Sequence, residues 1–148
     1  MIIWLTGQPG SGKTTLAKKL VKHLIQKKIA VINIDGDDLR EVLINKDYSK
    51  NGRIKNIKAA QNIAQFLSNK DFIVIVSLVA PFIDVREEFK SRCNVFEIYL
   101  ETNELRGREH FFSNDYVKPA QNFLFLDTGK NSIETCKNKI LKYCKLDG

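Results

Sequence analysis

The chain has 148 residues and a formal net charge of +7, a size that suits one domain, residues 1–148, around one core. Hydrophobic residues make up 43% of it, and no apolar run reaches the roughly 18 to 20 residues that span a bilayer. The three cysteines lack metal-ligand spacing and are expected to be free thiols. These features predict a cytoplasmic protein without a membrane partner. The lysines are scattered, which argues against nucleic acid as a partner and favours a site that gathers phosphates.

Hydrophobic periodicity predicts alternating strands and helices. In the first half these are a strand at 2–6, a helix at 14–28, a strand at 30–34, and helices at 38–43 and 53–69. In the second half they are a strand at 72–79, a helix at 84–92, strands at 95–100 and 123–126, and a helix at 132–144. This order predicts an α/β fold with a central parallel sheet of about five strands and helices on both faces. The polar region 101–122 is predicted to be a lid or loop.

The string GQPGSGKT, residues 7–14, matches the phosphate-loop pattern G-x-x-x-x-G-K-[ST] between a predicted strand and a predicted helix. Glycines let such a loop curl so that its N–H groups point inward, and the helix that follows adds its positive end. We expect Lys13 to reach the β- and γ-phosphates of ATP and Thr14 to ligate Mg²⁺. The phosphate-binding residues are predicted to be Gly7, Gly10, Ser11, Gly12, Lys13, Thr14 and Thr15.

Several classes of phosphate-loop protein do not fit the chain. Its length leaves no room for an appended motor or transporter domain. A GTPase would show an N-K-x-D motif, and the string INKDYS lacks that spacing. The third strand ends in SLVAP without the aspartate that commonly helps to hold the metal. A small-molecule kinase is the class that remains.

Three carboxylates follow the second strand in the string IDGDDL, residues 34–39. Ligands of open parallel sheets sit beyond the carboxyl ends of the strands, so these side chains should approach the phosphate loop. We expect Asp37 to accept the proton of the acceptor hydroxyl, with helix capping as the alternative role. Asp35 is expected to support Mg²⁺ through water, and Asp38 to cap the next helix.

The strings DGDDLR, YSKNGRIKN and SLVAP, together with the phosphate loop, are similar to the ordered motifs of the adenylyl-sulfate kinase family. The resemblance covers nearly the whole chain and implies a P-loop kinase. In that family ATP phosphorylates the ribose 3′-hydroxyl of adenosine 5′-phosphosulfate. Asp37 matches the catalytic carboxylate of the family. The resemblance also implies the substrate contacts Arg40, Tyr48, Arg53 and Asn56, with Tyr48 stacking on the base.

The chain departs from the family pattern at three places. Ala80 stands where the family has the second serine of S-x-x-S-P. The basic lid of the family is reduced to LRGREHFFSNDYVKP, in which four residues are the candidates to replace it: Arg106, Arg108, Phe111 and Phe112. The N-terminal extension that is common in the family is expected to be absent. The shortened lid is expected to affect recognition of the base more than phosphoryl transfer.

Three functions stay open on the sequence alone. The first is an ATP-dependent kinase of a nucleotide 3′-hydroxyl, with adenylyl sulfate as the acceptor by resemblance and cytidine diphosphoramidate, from capsule biosynthesis, as the alternative. The second is a kinase of another small metabolite, and the third is a catalytically idle nucleotide-binding module. ATP turnover with a panel of nucleotide acceptors separates them. A small nucleotide is the expected partner, and a homodimer is left open.

Overall fold

The computed structural model describes residues 1–104 and 106–148. Its sheet contains five parallel strands in the order β2-β3-β1-β4-β5. The strands are β1 (Ile2–Thr6), β2 (Val31–Asp35), β3 (Ile73–Ser77), β4 (Val95–Glu101) and β5 (Phe123–Asp127). The helices are α1 (Lys13–Gln26), α2 (Gly36–Leu43), α3 (Lys50–Ser68), α4 (Ile83–Arg92) and α5 (Ile133–Tyr143). The predicted α/β fold, a central parallel sheet with flanking helices, is confirmed.

Two hydrophobic clusters cover the two faces of the sheet. Successive residues of β1 point to opposite faces, so Ile3 and Leu5 join one cluster and Ile2 and Trp4 the other. Buried residues of α1 and α5 fill the first cluster: Leu16, Leu20, Leu24, Ile140 and Leu141. Residues of α3 and α4 fill the second: Ile57, Ala60, Ala64 and Phe89. Burial on both faces explains why the third strand is apolar almost throughout.

The predicted helix at 53–69 begins three residues earlier than expected. The hydroxyl oxygen of Ser49 accepts a hydrogen bond from the backbone N–H of Gly52, so that α3 starts at Lys50. Serine is a favoured N-cap residue, but apolar periodicity starts only at Ile54 and conceals the first turn. At 19 residues α3 is the longest helix, and none of the described helices is long and apolar enough to cross a membrane.

Region 101–122, predicted to be a lid or loop, contains one described helical turn, Glu109–Phe111. The end of this region is held by two cations of α4, which pair with a buried carboxylate on β4. Glu97 pairs with Arg86 at 2.9 Å and with Lys90 at 2.7 Å, and the side chains of Glu97 and Arg86 are only 2% and 4% exposed. Arg86 also donates to the carbonyl oxygen of Val117, and Lys90 to that of Gln121. The same charges that join α4 to β4 therefore anchor the end of the loop.

Replacement of Glu97 by alanine is expected to lower the free energy of unfolding by about 3 to 5 kcal/mol, because the buried Arg86 loses its carboxylate and Lys90 is left with Glu87 as its partner. The matched control is Lys19→Ala, which breaks an ion pair with Glu134 whose side chains are 44% and 55% exposed. An exposed pair of this kind contributes about 1 kcal/mol or less. Denaturant unfolding of both variants checks the difference, and equal losses would contradict it.

Candidate active site

The phosphate loop and the acidic turn meet at the carboxyl edge of the sheet. The loop follows β1 in the centre, and Asp35 ends β2 at one side, paired in register with Ser77 of β3. A crevice outside the strand ends is where open α/β sheets bind ligands. Here a cavity of about 740 Å³ runs along this edge, lined by residues of the loop, the acidic turn, α3 and region 106–113.

The phosphate loop has the tight curl that its glycines predict. Gly7, Gly10 and Gly12 all have positive φ angles, and a Cβ atom on Gly7 would lie 2.4 Å from the carbonyl oxygen of Leu100. Only glycine allows this approach of loop and strand. The predicted phosphate-binding residues that line the cavity are Gly10, Gly12, Lys13, Thr14 and Thr15. Gly7 and Ser11 are buried and do not line it.

Lys13 lies inside the curl of the loop. Its Nζ donates to the carbonyl oxygens of Gly7 and Gln8, each at 2.9 Å. Burial, and then the nearby positive charge of Arg108, lower the pKa of Lys13 to about 8. A buried ammonium near another cation is strongly stabilised by a bound anion. The phosphate groups of a nucleotide would be such an anion.

The carboxylate of Asp35 organises the acidic turn. Its Oδ2 accepts from the backbone N–H of Asp37 at 3.2 Å and of Asp38 at 3.5 Å, so Asp35 is the N-cap of α2. The expectation that Asp38 caps this helix was wrong, and α2 begins at Gly36, two residues earlier than predicted. An N-cap carboxylate must precede the free N–H groups that it binds. Asp38 is instead an exposed residue of the first turn.

The other oxygen of Asp35 points toward the phosphate loop. Its Oδ1 lies 3.5 Å from the hydroxyl of Thr14 and 3.3 Å from that of Ser77. Among the described residues no three acidic, histidine or cysteine side chains converge on a metal position. Mg²⁺ takes few protein ligands beside phosphate and water, so a threonine hydroxyl and one carboxylate are a donor set that fits it.

Asp37 and Asp38 differ in what they face. Asp37 lines the cavity together with the loop residues Lys13 and Thr14, whereas Asp38 does not line it. Both side chains are exposed. The position of Asp37 is the one that lets a carboxylate reach a hydroxyl bound beside the phosphate loop.

The four residues expected to bind the acceptor all line the same cavity: Arg40, Tyr48, Arg53 and Asn56. Arg40 lies 4.1 Å from the centre of the Tyr48 ring and donates to the carbonyl oxygens of Asn45 and Asp47. Tyr48 is 69% exposed, which leaves much of its ring surface for another planar group. Phe111 and Phe112, from the shortened lid, also line the cavity.

Arg53 has a carboxylate partner that the sequence did not indicate. Its Nη1 and Nη2 donate to the two oxygens of Asp115 at 2.9 and 2.8 Å, and Nη1 also donates to the hydroxyl of Ser113. The Arg53 hydrogen bonds, followed by that of Ser113, hold the pKa of Asp115 well below its usual range. Region 101–122 has no periodicity that would have placed Asp115 opposite α3.

Two buried polar atoms on α3 have no hydrogen-bond partner among the described residues. Asn56 is 2% exposed, and its Oδ1 forms no hydrogen bond with any described residue; the same holds for the buried Nε of Arg53. Buried polar atoms are normally paired, and both residues line the cavity. A bound ligand with hydroxyl groups would supply what these atoms lack.

Comparison with known proteins identifies the family. A family model described as Adenylylsulphate kinase matches residues 1–111. The chain belongs to this family. A probable adenylyl-sulfate kinase of Bacillus subtilis is 30% identical over 167 residues, covering 97% of the chain and 84% of the relative. That alignment is longer than the 148-residue chain, so the relative has residues in this stretch without a counterpart here, in line with the shortened lid.

A second relative is named for a different activity. A cytidine diphosphoramidate kinase of Campylobacter jejuni is 39% identical over 101 residues, which cover 68% of the chain and 59% of the relative. Among solved structures, the Mycobacterium tuberculosis APS kinase CysC in complex with AMPPNP and APS aligns with a TM-score of 0.86 at 21% identity, over 97% of this chain and 96% of that one. The structural match confirms the P-loop kinase fold. Membership of the family makes the chain an ATP-dependent nucleotide kinase, a phosphotransferase that acts on a hydroxyl group.

The lowered pKa of Lys13 has a consequence for stability. Between about pH 8 and pH 10.5 the unfolded chain binds the proton of Lys13 and the folded chain does not, so this residue makes unfolding less favourable as the pH rises. The free energy of unfolding of the wild type should therefore rise by roughly 1 to 3 kcal/mol across this range relative to Lys13→Met. Denaturant unfolding at pH 7.5, 9 and 10.5 without nucleotide measures the difference. Parallel pH profiles for the two proteins would contradict it.

Proposed function

We propose that this kinase transfers the γ-phosphoryl group of ATP to the ribose 3′-hydroxyl of adenylyl sulfate, and that residues 1–148 act as one kinase domain. One observation carries the proposal. A single cavity is lined at one end by the phosphate loop and at the other by Arg40, Tyr48, Arg53 and Asn56, and Asp37 lines it as well. A donor and an acceptor bound in this cavity would therefore lie beside each other.

The phosphate loop supplies the donor side of the reaction. The N–H groups of the loop and the N-terminus of α1 hold the β- and γ-phosphates. Lys13 moves from the carbonyl oxygens of Gly7 and Gln8 to the phosphates and balances the charge that develops during transfer. Thr14 and Asp35 are the residues proposed to hold Mg²⁺, Asp35 through water. When bound, Mg²⁺ neutralises charge on the phosphate oxygens.

Asp37 is the proposed catalytic carboxylate. It orients the acceptor hydroxyl and accepts its proton as the hydroxyl oxygen bonds to the γ-phosphorus of ATP and the bond from that phosphorus to the bridging oxygen breaks, which releases ADP. The cap formed by Asp35 binds the backbone N–H of Asp37 at 3.2 Å, so the backbone from which the carboxylate projects is fixed before the acceptor binds. Positioning of this kind, together with charge balance, accounts for most of the catalysis in phosphoryl transfer.

Arg40 and Tyr48 give the acceptor side its charge and its stacking surface. Carbonyl oxygens are the partners of Arg40, and no described carboxylate forms an ion pair with it, so its charge is available to the phosphosulfate group. The ring of Tyr48 stacks on the base, with Phe111 or Phe112 as the opposing surface. Asn56 Oδ1 and Arg53 Nε pair with ribose hydroxyl groups.

Cytidine diphosphoramidate is the second candidate acceptor. The relative of that name has the higher identity of the two, 39% against 30%, over a shorter stretch. A nucleotide with a smaller base also fits a cavity whose lid is shorter than the family's. Stacking on Tyr48 and the aromatic pair accepts either base, since every base has a π-face.

Steady-state turnover decides between the two acceptors. ATP is supplied with adenylyl sulfate, cytidine diphosphoramidate, a sugar acid or a nucleoside monophosphate, and kcat/KM is compared. The proposal expects the highest value with adenylyl sulfate, and Lys13→Met serves as the inactive control. A higher value with cytidine diphosphoramidate would reassign the acceptor, and turnover with neither nucleotide, despite ATP binding, would favour an idle module.

Asp37→Asn is expected to lower kcat by roughly 10² or more, because it removes the proton acceptor and the charge while keeping the shape. Asp38→Asn is the matched control one position away. It should be nearly silent, because Asp38 is exposed, does not line the cavity and is not the cap. Both values are measured at saturating ATP and acceptor. Loss of activity in Asp38→Asn, with Asp37→Asn active, would mean that the catalytic assignment is wrong.

Arg53→Ala is expected to raise the KM of the acceptor far more than that of ATP, since Arg53 lines the cavity from α3. Loss of a hydrogen-bonded arginine contact should cost on the order of 2 to 3 kcal/mol. Lys55→Ala is the control, because Lys55 is an exposed cation on the same helix. Equal effects of Arg53→Ala on both KM values would show that α3 does not contact the acceptor.

A further inference from the structure

The shortened lid is joined to the phosphate loop by the side chain of Gln8. Gln8 Nε2 donates to the carbonyl oxygen of Ser113, and the backbone N–H of Ser113 donates to Gln8 Oε1, each at 2.9 Å. Two bonds of this kind, one to the N–H and one to the C=O of the same residue, hold the backbone of Ser113 in position and orientation. Gln8 lies in the loop motif itself, where its carbonyl oxygen also accepts from Lys13.

Ser113 continues from this contact into the acceptor cavity. Its hydroxyl donates to Asp115 Oδ1 and accepts from Arg53 Nη1 at 3.1 Å. Asp115 in turn binds both terminal nitrogens of Arg53. An unbroken path of hydrogen bonds therefore leads from the phosphate loop, through Gln8, Ser113 and Asp115, to a residue of the acceptor site.

We propose that Gln8 is a positioning residue for the acceptor, which acts through Ser113 and Asp115 on the guanidinium of Arg53. The inference rests on the proposed function, because it takes the cavity beside Arg53 to be the acceptor site. In this inference one glutamine of the phosphate loop joins the loop to the shortened lid.

The physical advantage is a guanidinium that is ordered before the ligand arrives. A free arginine side chain loses rotamer entropy when it binds a ligand. Arg53 is 25% exposed and lies 5.0 Å from the centre of the Phe82 ring, so it is held by packing on one side and by Asp115 on the other. Asp115 is an exposed loop residue, and its own position depends on the segment that Gln8 holds.

Gln8→Met tests the inference, because methionine keeps the length of the side chain and removes both hydrogen bonds. Loss of two bonds is expected to raise the KM of the acceptor roughly tenfold. The KM of ATP should change by less than about twofold, and kcat should be largely retained. In the same variant the amide hydrogen of Ser113 should exchange at least about tenfold faster, since its acceptor is gone.

Tyr116→Phe is the matched control in the same segment. It removes the hydroxyl that is hydrogen-bonded to Thr6 at 2.8 Å and leaves the path from Gln8 to Arg53 intact. The KM of the acceptor and the exchange of the Ser113 amide should both stay within about threefold of wild type. An equal rise in Tyr116→Phe would mean that general loosening of the segment, and not the path through Gln8, sets the affinity, which would overturn the inference.

A double variant tests whether the path is continuous. Asp115→Asn alone should also raise the KM of the acceptor, and in Gln8→Met/Asp115→Asn the two rises should overlap and not multiply. Multiplying effects, or a Gln8→Met variant in which the KM of ATP rises as much as that of the acceptor, would overturn the inference. Absence of turnover with every acceptor in the wild type would overturn the proposed function instead. The exchange of the Ser113 amide then tests the Gln8–Ser113 contact by itself: faster exchange in Gln8→Met supports the joining of loop and lid by Gln8, and unchanged exchange overturns the inference.

Discussion

The catalytic edge of the sheet depends on the carboxylate of Asp35. One oxygen binds the N-terminus of α2, and the other lies close to the hydroxyls of Thr14 and Ser77. The strand end, the phosphate loop and the helix are thereby joined at one group. Because α2 carries Asp37 and Arg40, the same cap sets the direction in which the proposed catalytic carboxylate and the proposed anion-binding arginine leave the backbone.

Charge pairing organises the acceptor side in a similar way. The arginines have different partners: Arg53 is paired with Asp115, whereas Arg40 is bound to carbonyl oxygens and stacked near Tyr48. The guanidinium of Arg53, whose charge is balanced by Asp115, offers a ligand directed hydrogen bonds more than charge. The guanidinium of Arg40, which has no described carboxylate partner, offers both. This division suits an acceptor that has neutral hydroxyl groups at one end and an anionic group at the other.

The shortened lid is held by specific contacts along its length. Arg106 donates to the carbonyl oxygens of Gly10 and Thr128, Ser113 pairs with Gln8, and Arg86 holds Val117. Fixed contacts of this number reduce the conformational entropy that the segment would lose on binding a substrate. The phosphate loop, through Gln8, and the buried cations of α4 both take part in holding this segment.

The sequence alone was enough to predict the α/β class, the phosphate loop and the candidate acceptor residues that line the cavity, because each rests on a local pattern: apolar periodicity, a fixed glycine spacing, or a short motif. It did not determine that Asp35 caps α2, since three nearby aspartates are equivalent until the backbone direction is known. Nor did it place Asp115 on Arg53 or Gln8 on Ser113. Those partners are 62 and 105 residues apart in the chain, and only the packing of the loop across the strand ends brings them within hydrogen-bonding distance.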